Sequence, residues 1–378
     1  MLERLIAFDT VSRNSNLELI EFVRAYLDEL GVPYTLTYDD ERRKANLFAT
    51  IGPSDRPGVI LSGHTDVVPV DGQAWDSDPF RLTERDGKLY GRGACDMKGF
   101  DAVILACVPR FIEANLKTPI HLALSYDEEV GLLGVRKLIA ELEQTGLKPT
   151  ACIVGEPSSM QPVIAHKGAK TMHCEVRGFE VHSSLAPSGV NAVEAAAEVI
   201  AHLKSMARRT AKHGPFVEGF DPPHTTVHTG AIRGGTAHNI VPKDCAFTFE
   251  FRFVPGDDPD ALMAEVESVA RTRIEPEMQA IEPSTGIDFI HRSSYPGLAT
   301  SEDAEITSLV KALTGANRAG KVSYGTEAGL FAAAGIPSII CGPGSIEQAH
   351  KPNEFVTRDQ LGECERVLMR LVDRLCAA

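Results

Sequence analysis

Apolar and polar residues follow two different spacings along the chain. Residues 16–30 place apolar side chains three and four positions apart, which predicts an amphipathic helix that ends at Gly31. Further helices are predicted at residues 99–113 and 132–143. Short apolar runs predict strands at residues 46–51, 58–61, 120–125 and 151–154. Strands that alternate with helices are typical of a largely parallel sheet with helices on both faces, so we expect an α/β fold.

The pattern changes near residue 167. From there a β-α-β-β-α-β order follows, provided that residues 277–281 supply its last strand. This order predicts the split βαβ pattern of a ferredoxin-like α+β domain. After residue 290 the alternation of helices and strands resumes. We therefore expect a catalytic domain of residues 1–167 and 288–378, with residues 168–287 inserted into it.

Composition excludes several classes of protein. The 378-residue chain has 38 Lys and Arg against 52 Asp and Glu, a net charge of −14, which argues against a nucleic-acid-binding surface. No apolar run approaches the ~20 residues of a membrane-spanning helix, and residues 1–10 do not resemble a secretory signal. None of the eight cysteines forms a C-x-x-C pair. We therefore expect a cytoplasmic protein with reduced thiols that binds neither membrane nor nucleic acid.

The first candidate site follows the apolar run at residues 58–61, in the segment Gly63-His64-Thr65-Asp66. Ligands of open α/β sheets collect where the strands end. His64 and Asp66 share one face of an extended segment, so the carboxylate can orient the imidazole as a metal ligand. The alternative is a solvent-exposed loop histidine beside a turn aspartate.

Acidic residues form the next candidates. Asp96 lies between glycines in residues 91–99, where it either binds a metal or caps the helix that follows. Three adjacent acids at residues 127–129 follow a strand and repel one another unless cations lie among them. Because neighbouring side chains point in different directions, Glu128 and Glu129 can have separate tasks. An acidic first turn of a helix is the alternative.

Two further segments complete the set. Glu156 follows the strand at residues 151–154, and His350 lies in residues 348–352 after a glycine-containing turn. Carboxylate and imidazole ligands without thiolate suit zinc, cobalt or manganese. Two such ions, about 3.5–4 Å apart, can share a bridging carboxylate and activate a water molecule.

Five of these segments resemble a known family. They are GHTDVVP (63–69), GRGACDMKG (91–99), DEE (127–129), GEPS (155–158) and QAHKPNE (348–354). Together they resemble the co-catalytic zinc amidohydrolases of the acetylornithine deacetylase, succinyl-diaminopimelate desuccinylase and aminoacylase family, over about residues 60–355. The resemblance implies a di-zinc exopeptidase-like catalytic domain with an inserted dimerisation or lid domain.

The resemblance also implies a role for each matched residue. Two divalent ions are implied, zinc in the first place and cobalt as the alternative. The implied ligands are His64 and Glu156 for one ion, Glu129 and His350 for the other, and Asp96 between them. Glu128 is implied as the general base and Asp66 as the residue that orients His64. In this family the peptide bond after the bridging aspartate is usually cis, which implies a cis bond between Asp96 and Met97.

Three matches in the inserted domain imply contacts with the substrate. His182 lies in VHSS, which resembles the segment whose histidine reaches the active site of a partner subunit, and this implies a homodimer. Asn239 lies in a segment like the family's asparagine loop, and Arg252 stands where the family binds a substrate carboxylate. Glu327 is a candidate contact for a polar or cationic substrate end. A surface-turn histidine and an arginine in a salt bridge on a strand face are the alternatives.

Within the family, four segments look most like acetylornithine deacetylases: residues 155–170, 188–194, 324–331 and 342–354. The implied reaction is metal-dependent hydrolysis of an N-acyl amino acid, N-acetyl-L-ornithine to L-ornithine and acetate, in arginine biosynthesis. A desuccinylase, an aminoacylase or a dipeptidase is the alternative within the family. A non-catalytic binder and a structural metal protein are alternatives of other classes, although a binder has no need of a base such as Glu128.

Overall fold

A computed structural model describes residues 1–377 of the chain. The α-helices of these residues are α1 (Leu2–Ile6), α2 (Leu17–Glu29), α3 (Lys98–Glu113), α4 (Leu133–Thr145), α5 (Ala192–His213), α6 (Pro259–Val269), α7 (Glu275–Ile281), α8 (Glu305–Thr314), α9 (Ala328–Ala333) and α10 (Arg358–Ala377). Among these helices, none combines the length and the apolar character that crossing a membrane requires.

The strands of the same residues form three sheets. They are β1 (Tyr34–Tyr38), β2 (Ala45–Ile51), β3 (Val59–His64), β4 (Thr83–Arg85), β5 (Lys88–Tyr90), β6 (Ile120–Ser125), β7 (Ala151–Pro157), β8 (Val163–His166), β9 (Gly168–Arg177), β10 (Thr226–Gly234), β11 (Asp244–Phe253), β12 (Gly286–Tyr295), β13 (Leu298–Ala299), β14 (Gly320–Val322), β15 (Ser338–Gly342) and β16 (Phe355–Thr357).

The chain divides into two compact units. The first comprises Met1–Ala165, Leu298–Lys321 and the described residues from Thr326 onward. The second comprises His166–Gly297 and Val322–Gly325. The second unit extends to Gly297 because β12 belongs to its sheet.

A nine-stranded sheet forms the framework of the first unit, in the order β1-β2-β6-β3-β7-β15-β8-β13, with β14 paired to β8. The central strands β6, β3, β7 and β15 are parallel neighbours, whereas β2 pairs antiparallel with β6. Every residue of β3, β6 and β7 is buried, as expected for strands covered on both faces. The predicted α/β class is therefore confirmed, and the carboxyl ends of the central strands meet at one edge.

The second unit has a four-stranded antiparallel sheet in the order β10-β11-β9-β12. On β11, the side chains from Cys245 to Phe253 alternate between buried and partly exposed, so one face packs against helices and the other does not. The chain order β9-α5-β10-β11-α6-α7-β12 is the predicted split βαβ pattern.

The predicted last strand of that pattern is wrong. Residues 277–281 lie in the helix α7, and β12 takes the predicted place. A π-helical turn, Ala270–Ile274, joins α6 to α7. Ile274 and Met278 are both buried, and their spacing of four residues places them on one face of a helix.

A small sheet in the order β16-β5-β4 joins two distant segments of the first unit. Phe355 of β16 pairs with Tyr90 of β5. This pairing brings residues 91–97, which follow β5, beside residues 348–354, which precede β16. Both segments carry predicted metal ligands.

Candidate metal centre

His64 ends the strand β3 and is fully buried. Its Nδ1 donates a hydrogen bond to the main-chain oxygen of Asp66 at 2.9 Å, and the Asp66 carboxylate lies 3.6 Å from the same nitrogen. In the neutral ring Nδ1 therefore carries the proton, and Nε2 has the lone pair that a metal needs. This Nε2 lies 3.1 Å from Oδ1 of Asp96 and 3.7 Å from Oε1 of Glu156.

The carboxylate of Asp66 also joins the ends of β3 and β6. Its Oδ2 accepts a hydrogen bond from the Ser12 hydroxyl at 2.7 Å. The main-chain N–H groups of Glu128 and Glu129 donate to the same carboxylate at 3.1 and 3.3 Å. Asp66 therefore holds the turn that carries both glutamates as well as the ring of His64.

Asp96 turns its two oxygens toward two different histidines. Oδ1 lies 3.1 Å from Nε2 of His64, and Oδ2 lies 3.3 Å from Nε2 of His350. Burial alone would raise the pKa of Asp96, but hydrogen bonds from His350 and His64 lower it. The peptide bond between Asp96 and Met97 is cis, as the resemblance implied. A carboxylate in this orientation can bridge two metal ions.

Three glutamates lie close to these groups. Possible ligand atoms of His64, Glu128 and Glu156 lie within 4.8 Å of one another, as do those of His64, Asp96 and Glu129. Burial, together with repulsion from neighbouring carboxylates, raises the pKa of all three glutamates, that of Glu129 to about 7. Such a group of acids is costly to bury in the charged form unless a cation lies among them.

His350 closes the cluster from the loop that follows β15. Its side chain is half-exposed, and Nε2 lies 3.1 Å from Oε2 of Glu129. Hydrogen bonds to Asp96 and Glu129 raise the pKa of His350 to about 10. The other oxygen of Glu129, Oε1, is buried, and among the described residues it has no hydrogen-bond partner.

These observations fit divalent cations. The structure brings the predicted ligands and Glu128 together in the first unit: His64, Asp96, Glu128, Glu129, Glu156 and His350. The thiol of Cys95 is turned away, because it donates to the main-chain oxygen of Ser345 at 3.2 Å. Imidazole nitrogens and carboxylate oxygens without thiolate are the donor set of zinc, cobalt or manganese. The unpartnered oxygen of Glu129 is a position that a metal ion would satisfy.

The third acid of residues 127–129 does not join the cluster. The Lys44 ammonium pairs with the Asp127 carboxylate and also donates to the main-chain oxygen of Ser12. Lys44 is therefore one of the cations that the three adjacent acids were expected to need. Lys44 lies far away in sequence, and nothing in the local pattern indicates this pairing.

Sequence reasoning also missed Glu354 and Arg92, which form a buried ion pair at 2.7 Å. Glu354 accepts hydrogen bonds from the main-chain N–H groups of Cys95 and Asp96 at 2.8 and 3.0 Å. Both residues lie inside segments that carry the family resemblance. A sequence signal for this pair does exist. An arginine and a glutamate lie close to Asp96 and His350, two predicted ligands of one centre, so their segments were expected to lie together.

Glu327 also lies in the first unit, where it is 1% exposed. Its carboxylate accepts hydrogen bonds from the hydroxyl of Ser62 at 3.0 Å and from that of Ser125. Burial raises its pKa. In this arrangement the carboxylate braces the ends of β3 and β6, and its predicted contact with substrate stays a prediction.

The remaining predicted residues belong to the second unit. His182 and Asn239 are exposed on adjoining loops, where Ser183 N–H donates to the main-chain oxygen of Asn239 at 2.9 Å. Arg252 is partly exposed near the end of β11 and donates to Tyr295 at 2.7 Å and to Glu250 at 3.2 Å. Their roles toward a substrate stay predictions.

Carboxylates and histidines gathered at the carboxyl edge of an α/β sheet are the arrangement expected of a metal-dependent hydrolase. Comparison with known proteins agrees. The model of peptidase family M20/M25/M40 matches residues 60–374, and the chain belongs to this family. The resemblance stated from the five segments is confirmed.

Comparison with individual proteins is more specific than comparison with the family. The chain is 38% identical to an acetylornithine deacetylase of Myxococcus xanthus, over 99% of this chain and 96% of that protein. It is 34% identical to an acetylornithine deacetylase of Photorhabdus laumondii, over 100% of this chain and 96% of that protein.

Solved structures share the fold. The M20 family metallo-carboxypeptidase Sso-CP2 of Sulfolobus solfataricus has a TM-score of 0.77 at 20% identity, over 100% of this chain and 98% of that chain. A dinuclear metal binding peptidase of Bacillus subtilis has a TM-score of 0.67 at 15% identity, over 100% of this chain and 97% of that chain.

Proposed function

We propose that this enzyme hydrolyses the amide bond of N-acetyl-L-ornithine, releasing L-ornithine and acetate. The observation that carries the proposal is the Asp96 carboxylate, which faces His64 and His350 with buried Glu128 beside them. Similarity to acetylornithine deacetylases over nearly the whole chain supports the choice of substrate. We assign the reaction to arginine biosynthesis in the cytoplasm. The eight cysteines, all free thiols in the structure, are compatible with a reducing compartment.

We assign the metal ligands as the resemblance implied. His64 and Glu156 would hold one ion, Glu129 and His350 would hold the other, and Asp96 would be shared between them. Zinc is the proposed metal and cobalt the alternative. When bound, such ions lower the pKa of a coordinated water and polarise the carbonyl group of the substrate.

Glu128 is the proposed general base. Burial and repulsion from Glu156 raise the pKa of Glu128, so this carboxylate accepts a proton more readily than an exposed one. It takes a proton from the attacking water and passes it to the nitrogen of the leaving amine. The turn that Asp66 holds keeps the Glu128 carboxylate in place between the two transfers.

The variant Glu128→Gln tests this role. It keeps the shape of the side chain but removes the base, so we expect kcat/KM to fall by about 10²–10⁴-fold. Asp127→Asn is the matched control, because it removes the adjacent carboxylate, which pairs with Lys44 outside the cluster. We expect the control to retain activity within tenfold of the wild type. A Glu128→Gln enzyme within tenfold of the wild type would refute the assignment.

The second unit supplies the proposed substrate contacts. We assign Arg252 to the α-carboxylate, since its guanidinium can form a bidentate pair, with Asn239 as a further contact. We assign His182 to the oxyanion formed in the site of a partner subunit. Nδ1 of His182 accepts a hydrogen bond from the main-chain N–H of Ser184 at 3.2 Å. The neutral ring therefore carries its proton on Nε2, as a donor to an oxyanion must.

This role of His182 requires a homodimer. One of the two edge strands of the second unit's sheet is β10, which is largely exposed. Ile232 on this strand is 51% exposed, and Leu185 beside His182 is 58% exposed. An exposed strand edge with apolar side chains is suited to pairing with a second chain.

Subunit exchange tests the shared site. Inactive His182→Ala and inactive Glu128→Gln chains are mixed under conditions that exchange subunits. A mixed dimer has one site with both native residues, so recovered activity is expected. Size-exclusion chromatography with light scattering reports the dimer independently. A persistent dimer without recovered activity would contradict the role of His182 across subunits.

A substrate panel tests the reaction itself. Metal-stripped protein, reloaded with zinc or cobalt, is assayed for amine release from N-acetyl-L-ornithine, N-succinyl-diaminopimelate, N-acetyl-methionine and a dipeptide. We expect metal-dependent preference for N-acetyl-L-ornithine. Preference for another compound would retain the metal centre and replace the substrate. No metal-dependent release from any of them would favour a non-catalytic binder.

A further inference from the structure

Glu354 is a buried carboxylate that the proposed reaction does not use. It is 1% exposed and immediately precedes β16. Its Oε2 accepts hydrogen bonds from the Arg92 guanidinium at 2.7 Å and from the Gly93 N–H at 3.1 Å. Its Oε1 accepts from the N–H groups of Cys95 and Asp96 at 2.8 and 3.0 Å. Four donors match the roughly four lone-pair positions of a carboxylate, so its hydrogen-bonding capacity is fully used.

Arg92 links Glu354 to the segment that carries His350. One nitrogen of its buried guanidinium lies 3.4 Å from the main-chain oxygen of Lys351. Its second terminal nitrogen donates to the side-chain oxygen of Gln73 at 2.6 Å, and the Gln73 NH₂ group donates to the main-chain oxygen of His350 at 3.1 Å. The segment that carries His350 is therefore tied to the same ion pair as the segment that carries Asp96.

The backbone of this segment needs such support. His350 and Asn353 have φ angles of 62° and 56°, a left-handed conformation that is uncommon for residues other than glycine. Asn353 is held by hydrogen bonds with Asp76 at 2.9 and 3.0 Å. The main chain at His350 is held by Gln73. Without these contacts, the loop would be free to relax and the imidazole of His350 would move.

We propose that Glu354 is a positioning residue of the metal centre. Through Arg92 and Gln73, it fixes the segment that carries Asp96 (residues 91–97) relative to the segment that carries His350 (residues 348–354). Metal-ligand distances tolerate errors of only about 0.2 Å. A residue that sets the spacing of two ligands therefore controls affinity without touching the ion. The inference rests on the proposed metal centre, and it is independent of which substrate the enzyme cleaves.

The only tryptophan of the chain provides a direct readout. The Trp75 indole N–H donates to Gln73 at 3.1 Å, and the Arg92 guanidinium lies 5.2 Å from the centroid of its ring. Intrinsic fluorescence of Trp75 therefore reports on this network without an activity assay. We expect metal-free wild-type protein to change its emission when zinc or cobalt is added.

The test is a titration of Glu354→Gln with zinc in a metal buffer, followed by Trp75 fluorescence and by metal content after dialysis. The amide keeps one acceptor oxygen and turns an NH₂ group toward two N–H donors. We expect the midpoint to shift to about 10–100-fold higher free zinc. The control is Glu84→Gln, which removes an exposed carboxylate that also pairs with an arginine, Arg358, at 2.6 Å. We expect this control to keep the wild-type midpoint.

A second variant covers the case in which Glu354→Gln does not fold. Gln73→Met removes the hydrogen bonds of this partly exposed side chain with Arg92, His350 and Trp75, so its zinc binding is followed by metal content. We expect a shift of at least about fivefold, the net contribution of a single hydrogen bond. A lower melting temperature of Glu354→Gln with an unchanged zinc midpoint would show a merely structural role and overturn the inference. Failure of the wild type to bind either zinc or cobalt would instead overturn the proposed function, and the inference with it.

Discussion

Replacing Gly155 with alanine tests how the sheet positions Glu156. Gly155 lies in β7, directly before this proposed ligand, and faces the ring of Phe100 on α3. A Cβ at this position would lie under 3.0 Å from three ring carbons of Phe100, whereas ordinary contacts are 3.4–4 Å. The ring is 1% exposed and belongs to the core of the first unit, so it cannot swing into solvent.

The cost follows from this overlap. Overpacking of a well-filled core by a methyl group destabilises a protein by about 1–3 kcal/mol. For a domain the size of the first unit, this corresponds to roughly 2–12 °C in melting temperature. Any shift of β7 that relieves the overlap also moves Glu156, so we expect zinc affinity to fall as well. Thermal unfolding by circular dichroism and zinc content after dialysis measure the two effects.

A second glycine provides a matched control. At Gly362, within α10, the added Cβ would lie 3.4 Å from a terminal nitrogen of Arg366, whose flexible side chain can move. Gly362→Ala should therefore stabilise the protein by up to about 1 kcal/mol, because alanine favours a helix more than glycine does. If both variants melt at the wild-type temperature, the steric reasoning is refuted. If Gly155→Ala is destabilised but binds zinc normally, only the link to Glu156 is refuted.

Two further predictions concern pH. Burial lowers the pKa of His121 to about 4, so the unfolded chain, with an ordinary pKa of about 6.5, binds the proton first. The contribution of His121 to the free energy of unfolding is complete above pH 6.5 and should fall by about 3 kcal/mol as the pH is lowered to 4. In thermal melts at pH 4.5 and 7.5, His121→Gln should lack this part of the pH dependence. Hydrogen bonds to Asp96 and Glu129 raise the pKa of His350 to about 10, so the metal-free ring is protonated at pH 7. Zinc affinity measured against a chelator should rise about tenfold per unit between pH 7 and 9, and a flat profile would contradict the role of His350.

Local patterns in the sequence were sufficient for most regular elements. The helix predicted at residues 16–30 is α2, and the strand predicted at residues 120–125 is β6. The helix follows from the spacing of its apolar side chains and the strand from a short apolar run, and both signals lie within fewer than 20 residues. The same reasoning failed at residues 277–281, where a short run of mixed polarity fits either a strand or a helix. Whether this run forms a helix or a strand depends on which of its side chains the rest of the second unit buries.

The residues of the proposed metal centre were predictable for a related reason. His64, Glu156 and the proposed base Glu128 lie at or just after the carboxyl ends of apolar strands, and neighbouring parallel strands bring these ends to one edge of the sheet. The types and order of these residues then indicated both the chemistry and the family.

Contacts between distant segments were decided only by the tertiary structure. Lys44 takes Asp127 out of the acidic cluster, although the two residues lie 83 positions apart. Glu354 gathers the N–H groups of a loop about 260 residues away, as in its bond from Asp96, 258 positions distant. A charged side chain needs a partner of opposite charge once it is buried, but the sequence does not say which residue that partner is. The chain alone therefore determined the elements and the ligand types, whereas the packing of strands and loops decided which charges meet, because burial makes only particular pairs stable.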